Sequence, residues 1–228
     1  MGNSQFFKIG HRGCGYEPEN TLRSFQKAID LGANMVEADV WLTNDNKLAV
    51  IHDKTVNRTT NGRGQVKNFT LAELKKLDAG KLERIPALEE VLDLINKKAA
   101  INIELKGEGT AGPVARLIQK YVQEGNWPYD NFLVSSLNHQ ELTEFKKLLP
   151  QVNVGALIDK LPVDFIGLEK MRLFSVNLAH KIVSQKLIDE AHRHNWQVLV
   201  YTVNEPKKIQ QLKEIGADGV FSNYPDRL

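Results

Sequence analysis

The chain has 228 residues, of which 42% are hydrophobic and 25% are charged, which are the proportions of an ordinary globular protein. Its formal net charge is +2 with acids and bases mixed along the sequence, which disfavours a nucleic-acid-binding protein because such proteins cluster basic residues on one face. A single cysteine excludes an intrachain disulfide, and no apolar run approaches the roughly 18 residues of a membrane span.

The start of the chain bears on location. Its first ten residues lack the succession of basic, apolar and small residues that marks a secretory signal. The lone cysteine fits a reducing compartment. We therefore expect a soluble cytoplasmic protein without a stable membrane anchor, although removal of a signal peptide would leave the same sequence.

Short β-rich runs alternate with helical patterns along the chain. Strands are predicted at Phe6–Gly10, Met35–Trp41, Leu48–His52, Ala100–Leu105, Phe132–Ser136, Val152–Ile158, Leu173–Leu178, Val198–Val203 and Gly219–Ser222. Helices are predicted at Thr21–Leu31, Leu71–Leu77, Leu88–Asn96, Pro113–Glu124, His139–Leu149, Ser184–His194 and Pro206–Ile215. This alternation predicts a parallel sheet with crossover helices.

Nine predicted strands are one more than a closed (β/α)8 barrel holds. The second and third are joined only by a turn near Asn44–Asn46, which is too short for a helical crossover of about a dozen residues. One strand is therefore expected to be an extra strand attached to the second barrel position. We predict one domain over residues 1–228, a compact TIM (β/α)8 barrel with residues 54–84 as a small insertion. A doubly wound sheet is the alternative, but no Gly-x-Gly-x-x-Gly follows the first strand.

Three carboxylates stand out within the predicted strands. Glu37 and Asp39 are two residues apart, so on a strand they share a face, and Glu104 shares a face with Asn102 and Lys106. The opposite faces of both strands are apolar and suited to packing on helices. An antiparallel sheet with one solvated face would give the same alternation, so each strand alone is ambiguous.

Catalytic residues of a barrel gather where its strands end, at the carboxyl side. That rule collects one set of residues: His11, Arg12, Glu37, Asp39, His52, Asp53, Glu104 and Lys106. Carboxylates without a cysteine ligand suit a hard cation such as Mg²⁺ or Ca²⁺. Arginine and lysine bind phosphate oxygens, and two histidines can act as general base and general acid. Together these groups indicate phosphoryl transfer to or from oxygen.

Each of these residues also has a purely structural interpretation. Arg12 could pair with Glu17 or Glu19, and Glu104 with Lys106. The segment Glu19–Thr21 could serve only as a helix start, with Asn20 or Thr21 as the cap. The joint occurrence of the set at strand ends favours a catalytic site.

Ordered motifs run through nearly the whole chain. They are Gly10-His11-Arg12-Gly13, Pro18-Glu19-Asn20-Thr21, Val36-Glu37-Ala38-Asp39-Val40, Ile51-His52-Asp53, Asn57-Arg58-Thr59-Thr60, residues 85–92, Asn102-Ile103-Glu104-Leu105-Lys106, Tyr201-Thr202-Val203-Asn204 and residues 218–226. With these motifs the chain resembles the glycerophosphodiester phosphodiesterases, TIM-barrel enzymes related to phosphatidylinositol-specific phospholipase C. Two departures are modest: Tyr201 stands where the family usually has Trp, and Asn223 stands where Asp is common.

The resemblance implies a role for each matching residue. Glu37, Asp39 and Glu104 would be the metal ligands. His11 and His52 would be the general acid–base pair. Substrate and phosphate binding would fall to Arg12, Lys106, Glu19 and Tyr201, with Glu19 and Asn20 also supporting the first loop.

The implied reaction is metal-dependent hydrolysis of small glycerophosphodiesters, such as glycerophosphocholine or glycerophosphoethanolamine, to sn-glycerol 3-phosphate and an alcohol. Three rivals are a related lysophospholipase D or cyclising phospholipase, a binding protein without catalysis, and a purely structural barrel. The sequence leaves open the headgroup, the choice between Mg²⁺ and Ca²⁺, and the oligomeric state.

Overall fold

The computed structural model describes residues 6–228. Its strands are β1 Phe7–Gly10, β2 Met35–Leu42, β3 Leu48–Val50, β4 Ala100–Leu105, β5 Phe132–Ser136, β6 Asn153–Ile158, β7 Ser175–Ala179, β8 Gln197–Tyr201 and β9 Gly219–Ser222. Its helices are α1 Leu22–Asp30, α2 Leu71–Leu74, α3 Leu88–Ile95, α4 Ala111–Gly125, α5 His139–Leu148, α6 Phe165–Glu169, α7 Gln185–Arg193 and α8 Pro206–Glu214.

Eight of the strands close into a parallel barrel. β1 pairs with β2 on one side and with β9 on the other, and the remaining neighbours follow in order from β4 to β9. Among the strands, β3 pairs with β2 alone in the part of the chain that the structure describes, in the antiparallel direction, and it is the extra strand predicted at this position. The predicted TIM (β/α)8 fold is thereby confirmed.

The two faces of β2 show how the barrel divides its core from its site. Val36 and Val40 are fully buried in the large apolar layer between the strands and the surrounding helices. Met35 belongs to a separate, small apolar cluster inside the barrel. Because alternate residues share a face, Glu37 and Asp39 follow Met35 on the inner side, toward the carboxyl end of the strand.

Some element bounds differ from the predicted ones. β3 ends at Val50, so His52 lies in the loop after the strand. β8 ends at Tyr201 where the pattern predicted Val203, and α2 ends at Leu74 where it predicted Leu77. The structure adds α6, whose five residues are too few to show a helical period in the sequence.

Residues 54–84 contain a short 3₁₀ turn and α2, and they pack on the barrel through β3. Val56, Val66 and Leu74 are fully buried and form one apolar cluster with Ala49 of β3 and Ile51. Thr70 caps α2 in a reciprocal hydrogen-bond pattern with Glu73, a common helix start. Burial of this cluster ties the segment to the second barrel position.

In residues 6–228, every helix is too short or too polar to cross a lipid bilayer. The cytoplasmic location expected from the sequence stays a prediction.

Candidate active site

Three carboxylates meet at the carboxyl ends of β2 and β4. The parallel register places Asp39 opposite Glu104 and Glu37 opposite Asn102. One oxygen from each of the three carboxylates lies within 4.8 Å of the others. Burial, together with the charges of Asp39 and Glu104, raises the pKa of Glu37 well above its usual range. Burial and Asp39 raise the pKa of Glu104 to about 7.

The donor set of these carboxylates fits a hard divalent cation. Glu37 Oε1 and Asp39 Oδ1 are buried and have no hydrogen-bond partner among the described residues. The ammonium of Lys106 offsets part of the charge, with Nζ 2.8 Å from Glu104 Oε1 and 3.7 Å from Asp39 Oδ1. Buried carboxylate oxygens without a donor are the ligands that Mg²⁺ and Ca²⁺ take, so these residues fit the predicted metal site.

The loop after β1 folds back over the carboxylates. Gly13 has a φ of +85°, and a Cβ there would lie 2.3 Å from Ser24 Oγ, so only glycine fits. This turn directs the backbone N–H of Arg12 to Glu37 Oε2 at 2.8 Å. The Arg12 guanidinium also lies beside Asp39, with Nε 3.4 Å from Oδ2. Arg12 therefore contacts the acidic cluster through both its backbone and its side chain.

Asn20, which the resemblance implies as a support of the first loop, contacts the carboxylate cluster directly. Its Nδ2 donates to Asp39 Oδ2 at 2.9 Å, and its φ of +58° is in the left-handed region. The pattern offered Asn20 or Thr21 as a helix cap, and the cap of α1 is Thr21. The amide of Asn20 fixes one oxygen of Asp39 and leaves the other oxygen without a donor.

His11 lines the site from the end of β1. Its Nδ1–H donates to Asn223 Oδ1 at 2.8 Å, which leaves Nε2 with a free lone pair. Burial and the neighbouring positive charge of Arg12 lower the pKa of His11 to about 4. The imidazole is therefore neutral at neutral pH, which is the state that a general base requires.

His52 is positioned from two sides in the loop after β3. Trp41 donates its indole N–H to the backbone carbonyl of His52 at 3.0 Å. Asp53 Oδ1 lies 2.6 Å from Nδ1 of the His52 ring. The other ring nitrogen, Nε2, lies 3.2 Å from Lys106 Nζ. A carboxylate at Nδ1 stabilises an imidazolium as it forms, as in hydrolase triads.

Arg58, in the segment 54–84, connects Asp53 with Glu19. It donates to Asp53 through Nε and Nη2 at 2.7 and 2.9 Å, and to Glu19 through Nη1 and Nη2 at 2.8 and 2.7 Å. The hydrogen bonds from Arg58 hold the pKa of Asp53 well below its usual range. Arg58 and Glu19 are 39 residues apart in sequence, so no local pattern indicates their contact.

Glu19 lies behind Arg12 and not on the surface that faces a ligand. Its carboxylate accepts from Arg12 at 3.0 Å and from Arg58, and it is absent from the residues that line the cavity. A carboxylate between two guanidiniums has no donor to offer a phosphate. This geometry supports the role of Glu19 in holding the first loop and does not support direct substrate contact.

A cavity of about 150 Å³ is lined by the predicted catalytic, metal-binding and substrate-binding residues other than Asp39 and Glu19. It is lined by His11, Arg12, Glu37, His52, Asn102, Glu104, Lys106, Leu137, Leu157, Tyr201, Thr202 and Phe221. Tyr201 packs edge-on against Phe221, and its buried hydroxyl has no hydrogen-bond partner among the described residues. The cavity is therefore acidic on one side, has histidines in its lining, and includes an aromatic and aliphatic wall.

The chain is similar to known proteins along almost its full length. A model of the glycerophosphoryl diester phosphodiesterase family matches residues 11–227. A glycerophosphodiester phosphodiesterase of Caldanaerobacter subterraneus is 36% identical over 231 residues, covering 96% of this chain and 95% of the relative. The human lysophospholipase D is 26% identical over 263 residues, covering 96% and 84%. A solved phosphodiesterase of Oleispira antarctica, in complex with its product sn-glycerol-3-phosphate, is 32% identical with a TM-score of 0.88, covering 96% and 93%.

Proposed function

Because the chain belongs to the glycerophosphoryl diester phosphodiesterase family, we propose that it cleaves small diesters such as glycerophosphocholine and glycerophosphoethanolamine. Its class, a glycerophosphodiester phosphodiesterase, follows from the family. The products would be sn-glycerol 3-phosphate and the free alcohol. The Oleispira phosphodiesterase matches 96% of this chain and was solved with that phosphate ester as its product, which supports this choice.

Glu37, Asp39 and Glu104 would hold a divalent cation, either Mg²⁺ or Ca²⁺. The support is their mutual distance of 4.8 Å or less and the two buried oxygens without a donor. When bound, such a cation neutralises the carboxylates and withdraws charge from a phosphoryl oxygen.

Arg12 and Lys106 would bind the phosphate. Arg12 lines the cavity, and burial lowers the pKa of its guanidinium less than Asp39 and Glu37 raise it. Lys106 extends into the cavity from the end of β4, where burial lowers its pKa less than Glu104 and Asp39 raise it. Both side chains are therefore cationic and face the space where a phosphate would lie.

His11 and His52 would carry the protons. In the first step His11 Nε2 takes the proton of the glycerol 2-hydroxyl as its oxygen attacks phosphorus. His52 gives a proton to the departing alcohol oxygen, and a cyclic phosphate forms. In the second step His52 deprotonates a water that opens the ring, and His11 returns its proton to the 2-oxygen. A positioned internal hydroxyl has a high effective concentration, so the reaction needs no protein nucleophile.

One observation carries this proposal: a single small cavity is lined by both histidines and by two of the three clustered carboxylates, with the third beside them. The test supplies glycerophosphocholine with Mg²⁺ or Ca²⁺ and measures glycerol 3-phosphate with a coupled assay. We expect activity to be lost on chelation and to return when the cation is restored. Full activity in the chelated enzyme would rule out the metal role, and full activity in His11→Ala or His52→Ala would rule out that histidine's role.

Lysophospholipid cleavage is the second candidate, because a human relative at 26% identity is a lysophospholipase D. Leu137 lines the cavity and is half exposed, so an acyl chain could contact it from outside. Comparing glycerophosphocholine with lysophosphatidylcholine at equal concentration separates the two. We expect the deacylated diester to be cleaved faster, since a cavity of about 150 Å³ leaves an acyl chain outside it.

A further inference from the structure

A second cavity, of about 410 Å³, adjoins the catalytic one, and Lys106 lines both. Its walls include Trp41, Lys54, Lys67, Lys106, Gly107 and Glu108, and we call it the lysine groove. It runs between the segment 54–84 and the loop after β4. Its position beside the catalytic cavity makes it a candidate place for the part of a substrate that the smaller cavity cannot hold.

The groove lies on the His52 side of the site. Trp41 lines the groove and hydrogen-bonds the carbonyl of His52, and Lys106 lies 3.2 Å from His52 Nε2. The following argument rests on the proposed function, in which His52 protonates the leaving alcohol. A cavity of about 150 Å³ suits a glycerol phosphate group, so the leaving alcohol would extend past His52 into the lysine groove.

The charges of the groove are mainly positive. Lys54 and Lys67 are exposed, and neither forms an ion pair within 4 Å with any residue of the described chain. Lys106 is held by Glu104 at 2.8 Å, and Glu108 is the opposing carboxylate in the groove walls. We propose that the lysine groove binds the leaving alcohol and favours alcohols that carry a negative charge.

Two substrates differ by only the charge in question. Glycerophosphoserine is glycerophosphoethanolamine with one added carboxylate on the leaving alcohol. We expect kcat/KM for the serine diester to exceed that for the ethanolamine diester about three- to tenfold at low ionic strength, since exposed charges interact modestly. We expect the ratio to approach one in about 0.5 M NaCl, where screening is strong.

The double variant Lys54→Gln/Lys67→Gln tests the assignment to these residues. We expect it to bring the ratio to about one at low salt, chiefly by lowering kcat/KM for the serine diester. The control Lys120→Gln/Lys186→Gln removes the same net charge from exposed positions on α4 and α7 and should keep the wild-type ratio.

The outcomes separate this proposal from the one it rests on. A wild-type ratio near one, or a ratio that survives in Lys54→Gln/Lys67→Gln, overturns the role of the groove while ethanolamine-diester cleavage stands. A ratio lost equally in the control variant also overturns it, because net charge alone would then explain the preference. Absence of turnover for both diesters overturns the proposed function and the groove's role with it.

Discussion

Asp53 Oδ1 lies 2.6 Å from Nδ1 of His52, so the orientation of the proposed general acid depends on a neighbouring carboxylate. Arg58 holds that carboxylate through two hydrogen bonds and also holds Glu19, which supports Arg12. His52 and Arg12 are therefore linked through the guanidinium of Arg58. Changes at these supporting residues should affect catalysis although none of them faces the cavity.

The substitution Asp53→Asn keeps the shape of the side chain and removes its charge. We expect kcat for glycerophosphoethanolamine to fall about ten- to a hundredfold, the usual cost of losing a supporting residue in an active site. Initial rates at saturating substrate measure the effect. The exposed Asp130→Asn is the matched control, and a kcat for Asp53→Asn equal to that of the control would contradict the role of Asp53.

Replacing Arg58 with Met removes the bridge between Asp53 and Glu19. We expect kcat/KM to fall about tenfold, since both histidine and arginine lose a fixed orientation. The free energy of unfolding should change by no more than about 1 kcal/mol, because the Arg58 side chain is 47% exposed and exposed ion pairs contribute little. Steady-state kinetics and urea titration give the two values.

Arg63→Met is the control for this change, since Arg63 is an exposed arginine of the same segment. It should leave both quantities near wild type. The loss of kcat/KM in Arg58→Met can be expressed as a free energy. A loss of unfolding free energy as large as that value would indicate that Arg58 acts only on the fold.

Much of the barrel follows from local pattern. Alternation of apolar and acidic residues in β2 and β4 predicted which face each carboxylate takes, because side-chain direction has a period of two on any strand. The same pattern did not fix register. Only the pairing of Asp39 with Glu104 across 65 residues brings the three carboxylates together, and such pairing depends on closure of the whole sheet.

The supporting contacts could not be predicted for a related reason. Asn223 contacts His11 across 212 residues of sequence. Asn20, whose φ is in the left-handed region, contacts Asp39. Polar residues in loops have many local partners available, so their sequence neighbours do not indicate which partner they take. From the sequence, Asn20 could be a helix cap and Arg58 belongs to a matched motif without an assigned contact, and the fold places both beside the site.

Asn20 contributes both a hydrogen bond and a backbone conformation, and two substitutions separate these. Asn20→Gly tolerates the φ of +58° and loses only the amide, whereas Asn20→Ala loses the amide and is strained. We expect Asn20→Gly to lower the free energy of unfolding by about 1–2 kcal/mol and Asn20→Ala by about 1 kcal/mol more. Urea denaturation measures both, and equal values for the two variants would contradict the conformational part.

Protonation of Glu104 should couple stability to pH and to the cation. Its pKa, raised to about 7 by burial and Asp39, favours the protonated form in the folded protein. The stability that Glu104 contributes to the folded protein through this raised pKa is fully present below about pH 4.5 and is lost as pH rises through 7. In the metal-free protein, Glu104→Gln should therefore gain stability relative to wild type between pH 4.5 and 7, by on the order of 2 kcal/mol.

Urea unfolding with a chelator at pH 5 and pH 7.5 tests this sign. Adding millimolar Mg²⁺ or Ca²⁺ at pH 7.5 should stabilise wild type and have little effect on Glu104→Gln, because the cation binds the ionised carboxylates. The exposed Glu124→Gln is the control. If the free energy of unfolding changed equally with pH in wild type and Glu104→Gln, that would contradict a raised pKa of Glu104.

The most direct test of the central claim is a phosphorus NMR time course of glycerophosphocholine with the cation-loaded enzyme. It distinguishes the bonds that can break, since one cleavage gives sn-glycerol 3-phosphate and the other gives phosphocholine. We predict that sn-glycerol 3-phosphate is the only final monoester, and that it does not accumulate with His11→Ala, with His52→Ala or after chelation. Formation of phosphocholine, or unchanged turnover by both histidine variants, would contradict the account.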